Sequence, residues 1–265
     1  MTLDEIQMLW VRGSLSKVER LSIVSHLQNG HPVRLFSYEP IPNLPQGTLW
    51  EDARVILPES AVFTNPSAIG RGGLSMFSNF FRYHLLLQRG GIWSDCDSVC
   101  IKPLVFATDM EYFFASERLP GEQDGKPRAQ VVTGVFKAPP GSAVVARTLE
   151  IARATDLAKA PWASTGPRAL HQAVNELGLN RFTVSPEVFC PIAWWEIPAL
   201  ISGATMLPPN AHAVHFYNEI WRRNFFDKNA DFDPLSLFER LKAHYLGRTE
   251  IAHAQGLFSF SRRIA

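Results

Sequence analysis

The chain has 265 residues, 46% of them hydrophobic and 19% charged, with a formal net charge of +1. That much apolar sequence can bury one large α/β core or two small ones, and a single domain over 1–265 is expected. The near-neutral balance lacks the basic surface that nucleic acid requires, which leaves a small molecule as the expected partner.

The N-terminal stretch MTLDEIQMLW has acidic residues and no long apolar segment, so it does not read as a signal peptide. Nowhere does an apolar run reach the length that spans a bilayer. Cys96, Cys100 and Cys190 form no zinc pattern and leave an odd thiol in any disulfide scheme, as in a reducing compartment. A cytoplasmic protein is expected. The C-terminal Leu257, Phe258, Phe260, Arg262 and Arg263 are open to two readings, packing on the domain or peripheral contact with a membrane.

Ile6 to Val11 reads as a strand, followed by the turn Arg12-Gly13-Ser14 and a helix over Lys17 to Gln28 with Val18, Leu21, Val24 and Leu27 on one face. Val33 to Tyr38 is a second strand, and the β-α-β order requires a crossover between parallel strands. No GxGxxG or phosphate loop occurs, which argues against dinucleotide or Walker-type binding. The proline-rich Pro40 to Gly47 leads to a third strand near Arg54 to Leu57.

The densest pattern lies between Gly70 and Leu104. Leu74 to Gln88 has neither proline nor glycine, and Phe77, Phe80, Phe81, His84, Leu85 and Leu87 cover most of a helix circumference, which predicts a buried helix. One stripe stays polar: Ser75, Ser78, Asn79 and Arg82 stand at i, i+3, i+4 and i+7 on one face. Arginine and asparagine are costly to bury unpaired, so the stripe must meet solvent, a structural partner or a ligand. Gly90 and Gly91 end the helix, and Ile92 to Cys96 follows as a short central strand. Asp95 and Asp97, two apart in an extended segment, would point their carboxylates the same way. Without a counter-charge they would repel, and a divalent cation is the simplest partner. D-x-D also occurs at Asp231-Phe232-Asp233, in a proline-bounded polar loop that reads as a turn.

Farther along, Met110 to Ser116 is a strand, and Leu119 to Arg128, rich in glycine, proline and charge, reads as a mobile loop, either a solvated connection or an acceptor-facing lid. Gln130 to Phe136 is a strand and Ser142 to Asp156 a helix. Ser164-Thr165-Gly166-Pro167 starts a helix over Arg168 to Leu177, as a plain cap or as a seat for an anion or hydroxyl. Trp194 and Trp195 fit either a core or a sugar site. His215 follows an apolar strand, where the ordinary reading is a hydrogen-bonded core histidine. Pro234 to Tyr245 is an amphipathic helix.

Helix, glycine pair, strand and D-x-D in this order resemble the sugar-binding region of the GT-A glycosyltransferases, in particular the glycosyltransferase 32 group, with the large clostridial glucosylating toxins as more distant relatives. Their pattern S-D-x-x-R-x-x-x-L-x-x-x-G-G-x-Y-x-D-x-D is matched by Ser78, Arg82, Leu86, Gly90, Gly91, Asp95 and Asp97, with Trp93 for the tyrosine and Asn79 for the first aspartate. Weaker likenesses extend over most of the chain. Trp10 stands where these families stack an aromatic on uracil. Thr133-Gly134 replaces a frequent Asn-Gly, leaving Gln130 to supply an amide. Thr165-Gly166-Pro167 matches a T-G-P, and His215 to Asn218 an H-x-W-N with Tyr217 for its tryptophan.

The resemblance implies a GT-A-like, Rossmann-like single α/β domain with a mostly parallel central sheet flanked by helices. Residues 1–105 would hold the nucleotide sugar and 106–265 would face the acceptor. The implied activity is metal-dependent transfer of a sugar, with retention, from a nucleotide diphosphate donor such as a UDP-sugar. Its acceptor is a hydroxyl of a glycan or glycolipid of the lipopolysaccharide type, as in polysaccharide biosynthesis. Asp95, Asp97 and His215 would hold Mn²⁺, with Mg²⁺ as substitute. Arg82 would grip sugar or phosphate oxygens, Ser78 and Asn79 would fix hydroxyls, and Trp10, Asp95 and Trp221 would complete the donor site. Two rival classes are a non-catalytic nucleotide-sugar binder of the same fold and a metal-dependent nucleotidyltransferase, which normally needs a phosphate loop. No sequence feature picks out a general base.

Overall fold

The computed structural model describes residues 2–66, 71–123 and 125–247, so the apolar and basic C-terminal end lies outside the described residues. Strand β1 (Ile6–Leu9) is buried along its whole length. Helix α1 (Lys17–Gln28) starts at a capping box: the Ser16 hydroxyl accepts from the backbone of the first turn, and the Glu19 carboxylate accepts from Ser16 N at 2.7 Å. Strand β2 (Val33–Ser37) runs parallel to β1, Ile6 opposite Val33.

The third strand, β3, falls at Leu49–Asp52 rather than at Arg54 to Leu57. Leu49 to Asp52 pair with Arg34 to Ser37, and Asp52 then accepts from Arg54 N at 2.9 Å, capping a single 3₁₀ turn at Ala53–Val55. A side-chain cap here competes successfully with the strand preference of Val55 and Ile56.

Helix α2 (Ser75–Arg89) leads into β4 (Gly91–Ser94) and, after the three residues Asp95, Cys96 and Asp97, β5 (Ser98–Cys100). The segment expected as a mobile loop is instead the tip of a long antiparallel hairpin, β6 (Phe113–Gln123) and β7 (Lys126–Ala138). Register shifts between Phe114 and Ser116 and between Arg118 and Glu122 let the ladder run on through the glycine- and proline-rich stretch. Helices α3 (Ala143–Ala154) and α4 (Pro167–Glu176) follow, then the four-residue α5 (Pro186–Phe189) and α6 (Pro198–Ile201). Strand β8 (Ala213–His215), α7 (Asn218–Arg223) and α8 (Leu237–Tyr245) complete the described chain.

The result is a mixed α/β single domain. Its six-stranded sheet has the order β3-β2-β1-β4-β7-β6; the first four strands are parallel, and β7 and β6 are antiparallel to their neighbours. Strands from both sides of residue 105 share this sheet. Phe36, Phe81, Trp93 and Phe136 fill one core layer, and Ile6, Val33, Ile92 and Phe113 another. A third cluster, including Leu21, Val214, Trp221 and Phe238, joins α1 to β8 and α8. No helix among the described residues is long and apolar enough to cross a membrane.

Two features of topology position the site. From β1 the chain moves out through β2 to β3, then returns to lay β4 on the other side of β1. The crevice outside the carboxyl ends of β1 and β4 is therefore a topological switch point, where open α/β sheets bind ligands. Separately, β5 and β8 form a two-stranded antiparallel sheet with Ser98 opposite His215. That pairing carries a late histidine to the residue next to Asp97.

Candidate functional site

The glycine pair before β4 is required by contact as well as by conformation. Gly90 has φ +65°, and a Cβ there would lie 2.5 Å from Pro140; Gly91 has φ +92°, with the Gln7 amide 2.9 Å from its would-be Cβ. Gln7 Nε2 donates to Gly90 O at 2.8 Å, which locks the start of β4 against β1. The strand ends at Ser94, two residues short of expectation. Asp95 and Asp97 thus lie in a tight turn, closed by Ser98 N donating to Asp95 O at 3.0 Å, and not in one extended segment. Cys96 is turned inward, its thiol donating to Leu9 O at 3.2 Å, and this directs the flanking carboxylates outward together.

Asp95, Asp97 and His215 each present a ligand atom, and these three atoms lie within 4.8 Å of one another. A divalent ion with bonds of about 2.0 to 2.6 Å places opposite ligands roughly 4 to 5 Å apart, so the trio fits one ion. The donor set of carboxylates plus one imidazole suits a divalent cation. Asp97 is held in two ways: Oδ2 accepts from Asn218 N at 2.6 Å, and Oδ1 lies 3.3 Å from His215 Nε2. The His215 ring lies tilted against Tyr217, 4.1 Å between centroids. Gly134 also abuts it, where a Cβ would come 3.3 Å from the ring. Tyr217 adopts φ +54°, a left-handed conformation uncommon outside glycine, and its hydroxyl donates to Ile192 O at 3.0 Å.

The two carboxylates shift in opposite directions. Burial raises the Asp95 pKa, and although Arg82 pulls it down, the charge on Asp97 adds to the rise. Burial would also raise Asp97, but the charge and hydrogen bond of His215 and the Asn218 amide outweigh it and leave the pKa lowered. Burial opposes the charge on His215, yet Asp97 prevails and the imidazole is raised well above its usual range.

Arg82 lines the cleft beside this group and is almost wholly buried. It is 3% exposed, lies over the Trp93 ring at 4.8 Å, and donates to Ser78 Oγ at 2.9 Å, to Ser78 O at 3.2 Å and to Thr133 O. One guanidinium nitrogen is 3.0 Å from Asp95 Oδ1, and Trp93 Nε1 donates to the same oxygen at 2.9 Å. With most of its donors satisfied by protein, Arg82 is positioned to orient Asp95 at the cleft wall. Ser78 is half-buried and committed to Arg82. Asn79 is buried, and its amide donates to Thr165 Oγ1 at 3.2 Å while packing on Gly166, where a Cβ would come within 2.8 Å. The polar stripe of α2 therefore faces the site and the start of α4, and the amide at position 79 serves a hydroxyl that the T-G-P segment supplies.

Trp10 follows β1, half-buried in the cleft wall, with Lys228 Nζ 5.3 Å from its ring centre. Trp221 does not belong to the donor site. It is fully buried among Phe216, Phe226, Phe232 and Phe238, and exposing an aromatic of that size would cost about 3 kcal/mol. His212, at the other end of β8, contacts Pro103 O at 3.2 Å, away from the aspartates. Gln130 spends its amide on Glu117, donating to Oε1 at 2.9 Å.

All of this opens onto a cleft of about 1870 Å³, lined at one end by Trp10, Asp95, Asp97 and His215 and elsewhere by Glu117 and the half-exposed Trp194 and Trp195. Single small-molecule sites are typically about 300 to 1,000 Å³, so this space admits two ligands. Glu117 enters the site without any signal noted in the sequence, whereas Gly134 and Asn218 belong to segments already singled out. A carboxylate at the end of the apolar run Phe113 to Ala115 is the signal that could have found Glu117.

No protein-family model matches the sequence, and no curated protein matches it. Among solved structures the chain is similar to the PaToxG glycosyltransferase, with 15% identity and a TM-score of 0.46 over 68% of this chain and 71% of that one. It is also similar to the apo form of the glycosyltransferase GlyE from Streptococcus pneumoniae TIGR4, with 9% identity and a TM-score of 0.38 over 71% of this chain and 46% of the other. A mutant transferase is similar at 7% identity and a TM-score of 0.39, over 66% and 84% of the two chains. These likenesses are too distant to transfer a residue's role, and the functional reading rests on the site itself.

Proposed function

We propose that this chain is a metal-dependent glycosyltransferase that takes a sugar from a nucleotide diphosphate donor, a UDP-sugar by its motif, and delivers it to a hydroxyl of a glycan or glycolipid acceptor. The observation that carries the reading is the convergence of Asp95, Asp97 and His215 at the switch point of the sheet, beside Trp10 and inside a cleft with room for two ligands.

Breaking the bond from the anomeric carbon to the phosphate oxygen leaves negative charge on the diphosphate. A divalent ion held by Asp95, Asp97 and His215 would supply Lewis-acid stabilisation of that charge. The chain's own residues do the rest. Arg82 and Trp93 fix Asp95; Asn218 fixes Asp97; Gly134 and Tyr217 clamp the His215 ring. Trp10 offers a flat aromatic surface for the base at the end of β1. Retention of configuration is what the resemblance implies, and the anomeric proton signal of the product reads it.

The test is a thermal-shift panel of UDP-sugars with and without Mn²⁺. A donor at a hundred times its dissociation constant should add about 2.7 kcal/mol of stability, and only with the metal present. No shift with any nucleotide sugar would remove the reading, and binding without turnover would make the chain a nucleotide-sugar binder.

A further inference from the structure

Glu117 stands on β6 across the strand pair from Gln130, in the wall of the cleft. It is 8% exposed, yet no lysine or arginine pairs with it among the described residues. The Gln130 amide holds Oε1 at 2.9 Å, while Oε2 has no hydrogen-bond partner and is not sealed from the cleft. A carboxylate buried to this degree without a counter-charge is costly, which calls for a use. Burial also pushes its pKa up, against the Gln130 hydrogen bond and the His215 charge.

Glu117 lines the same cleft as Asp95, Asp97 and His215. Gln130, Val132 and Gly134 alternate along one side of β7 and all line the cleft, and Gly134 abuts His215 and Asp95. Four strand residues span about 13 Å. Glu117 and the trio therefore line one cleft from opposite ends of this run.

We propose that Glu117 binds the acceptor hydroxyl and takes its proton. This rests on the transfer reading above. As the hydroxyl oxygen bonds to the anomeric carbon, that carbon's bond to the diphosphate oxygen breaks and the oxygen keeps the electron pair. The hydroxyl proton passes to Glu117 Oε2. A carboxylate whose pKa is raised toward the working pH is the better base for this step. The resemblance implies a different acceptor for the proton, the leaving phosphate oxygen, so the two accounts differ in outcome.

The deciding variant is Glu117→Gln, which keeps the shape and can still accept from Gln130 but cannot take a proton. Two quantities are measured with Mn²⁺: UDP binding by tryptophan fluorescence, and UDP release from UDP-glucose, UDP-galactose and UDP-N-acetylglucosamine with water as acceptor. The expected result is a kcat at least about 100-fold lower, with the UDP dissociation constant and donor KM unchanged within about twofold. A kcat close to wild type would overturn the assignment, and so would a loss of UDP binding that accounts for the lower rate. A wild-type protein that binds UDP with Mn²⁺ but hydrolyses none of the three donors would overturn the transferase reading itself, and Glu117's role with it. Should Glu117→Gln fail to melt cooperatively, Glu117→Ala with added formate replaces it. Restoration of kcat by formate supports the role, and no restoration overturns it.

Discussion

Asp95-Cys96-Asp97 and Asp231-Phe232-Asp233 are the same motif in two settings. At the second, Asp231 is four-fifths exposed and pairs with Lys17 at 2.8 Å and Lys242 at 3.0 Å, whose hydrogen bonds bring its pKa down to about 2. Asp233 accepts from Gly203 N and Leu235 N, and Phe232 packs edge-on against Trp221. Each carboxylate there has its own cation or amides and no reason to share an ion. At the first, a β-strand from a Gly-Gly start delivers the pair to the switch point, the central cysteine is pulled inward, and a histidine from β8 closes the triangle. Solvent and lysines satisfy one copy, whereas the other is held in the cleft by a buried guanidinium and an imidazole. The tripeptide is only the part they have in common.

The comparison breaks most sharply at Asp97. Replacing it by asparagine should weaken Mn²⁺-dependent UDP binding by at least about 100-fold, beyond the 10- to 100-fold range seen when only an orienting partner is lost. Titration of UDP with and without Mn²⁺ checks it. Asp95→Asn is a poorer probe, because it strands the buried Arg82 guanidinium and would lower stability by up to about 3 kcal/mol.

His215→Ala should raise the Mn²⁺ concentration for half-maximal binding by about 10- to 100-fold and change its pH dependence. The His215 pKa is raised in the metal-free protein, so its ion pair stabilises fully below about pH 6.5 and is lost as pH climbs through the folded value. The lowered Asp97 pKa acts in reverse: its contribution is present above about pH 3.9 and is lost as pH falls through the folded value. A metal must displace the His215 proton. Mn²⁺ affinity should therefore increase with pH up to the raised imidazole pKa, and the slope should flatten in His215→Ala.

A smaller effect is expected from Arg82→Lys. Lysine keeps the charge but cannot reach Asp95, Ser78 and Thr133 at once. The melting temperature should fall and Mn²⁺ affinity drop by about tenfold; a purely structural Arg82 would lower the first and leave the second. Asp231→Asn should do least, a slight change in melting temperature with Mn²⁺ dependence untouched, as for an exposed ion pair.

Much of this fold could be read in the residues, because α1, α2 and the short strands around them carry uninterrupted apolar periodicity between clear stop signals. The grouping of Asp95, Asp97 and His215 was reachable through the resemblance, since His215 after its apolar strand reads by itself as a core histidine. Misreadings occurred where one interaction outweighed local propensity. Asp52 capped a turn where a strand was expected, and register shifts carried the β6–β7 ladder through Leu119 to Arg128. Trp221 read as a donor contact because its position after His215 is local, whereas its burial depends on Phe226, Phe232 and Phe238 folding back around it. Arg82's inward pairing was invisible for the same reason, since Thr133 and Asp95 meet it only when β7 lies beside β4.

The account stands most directly on a calorimetric titration of Mn²⁺ into the wild-type protein and the Asp97→Asn and Asp231→Asn variants, each with UDP present. One ion per chain should bind to wild type and to Asp231→Asn with the same affinity, and binding should be lost in Asp97→Asn. Equal binding by all three proteins, or loss in Asp231→Asn instead, would contradict the placement of the metal at Asp95, Asp97 and His215.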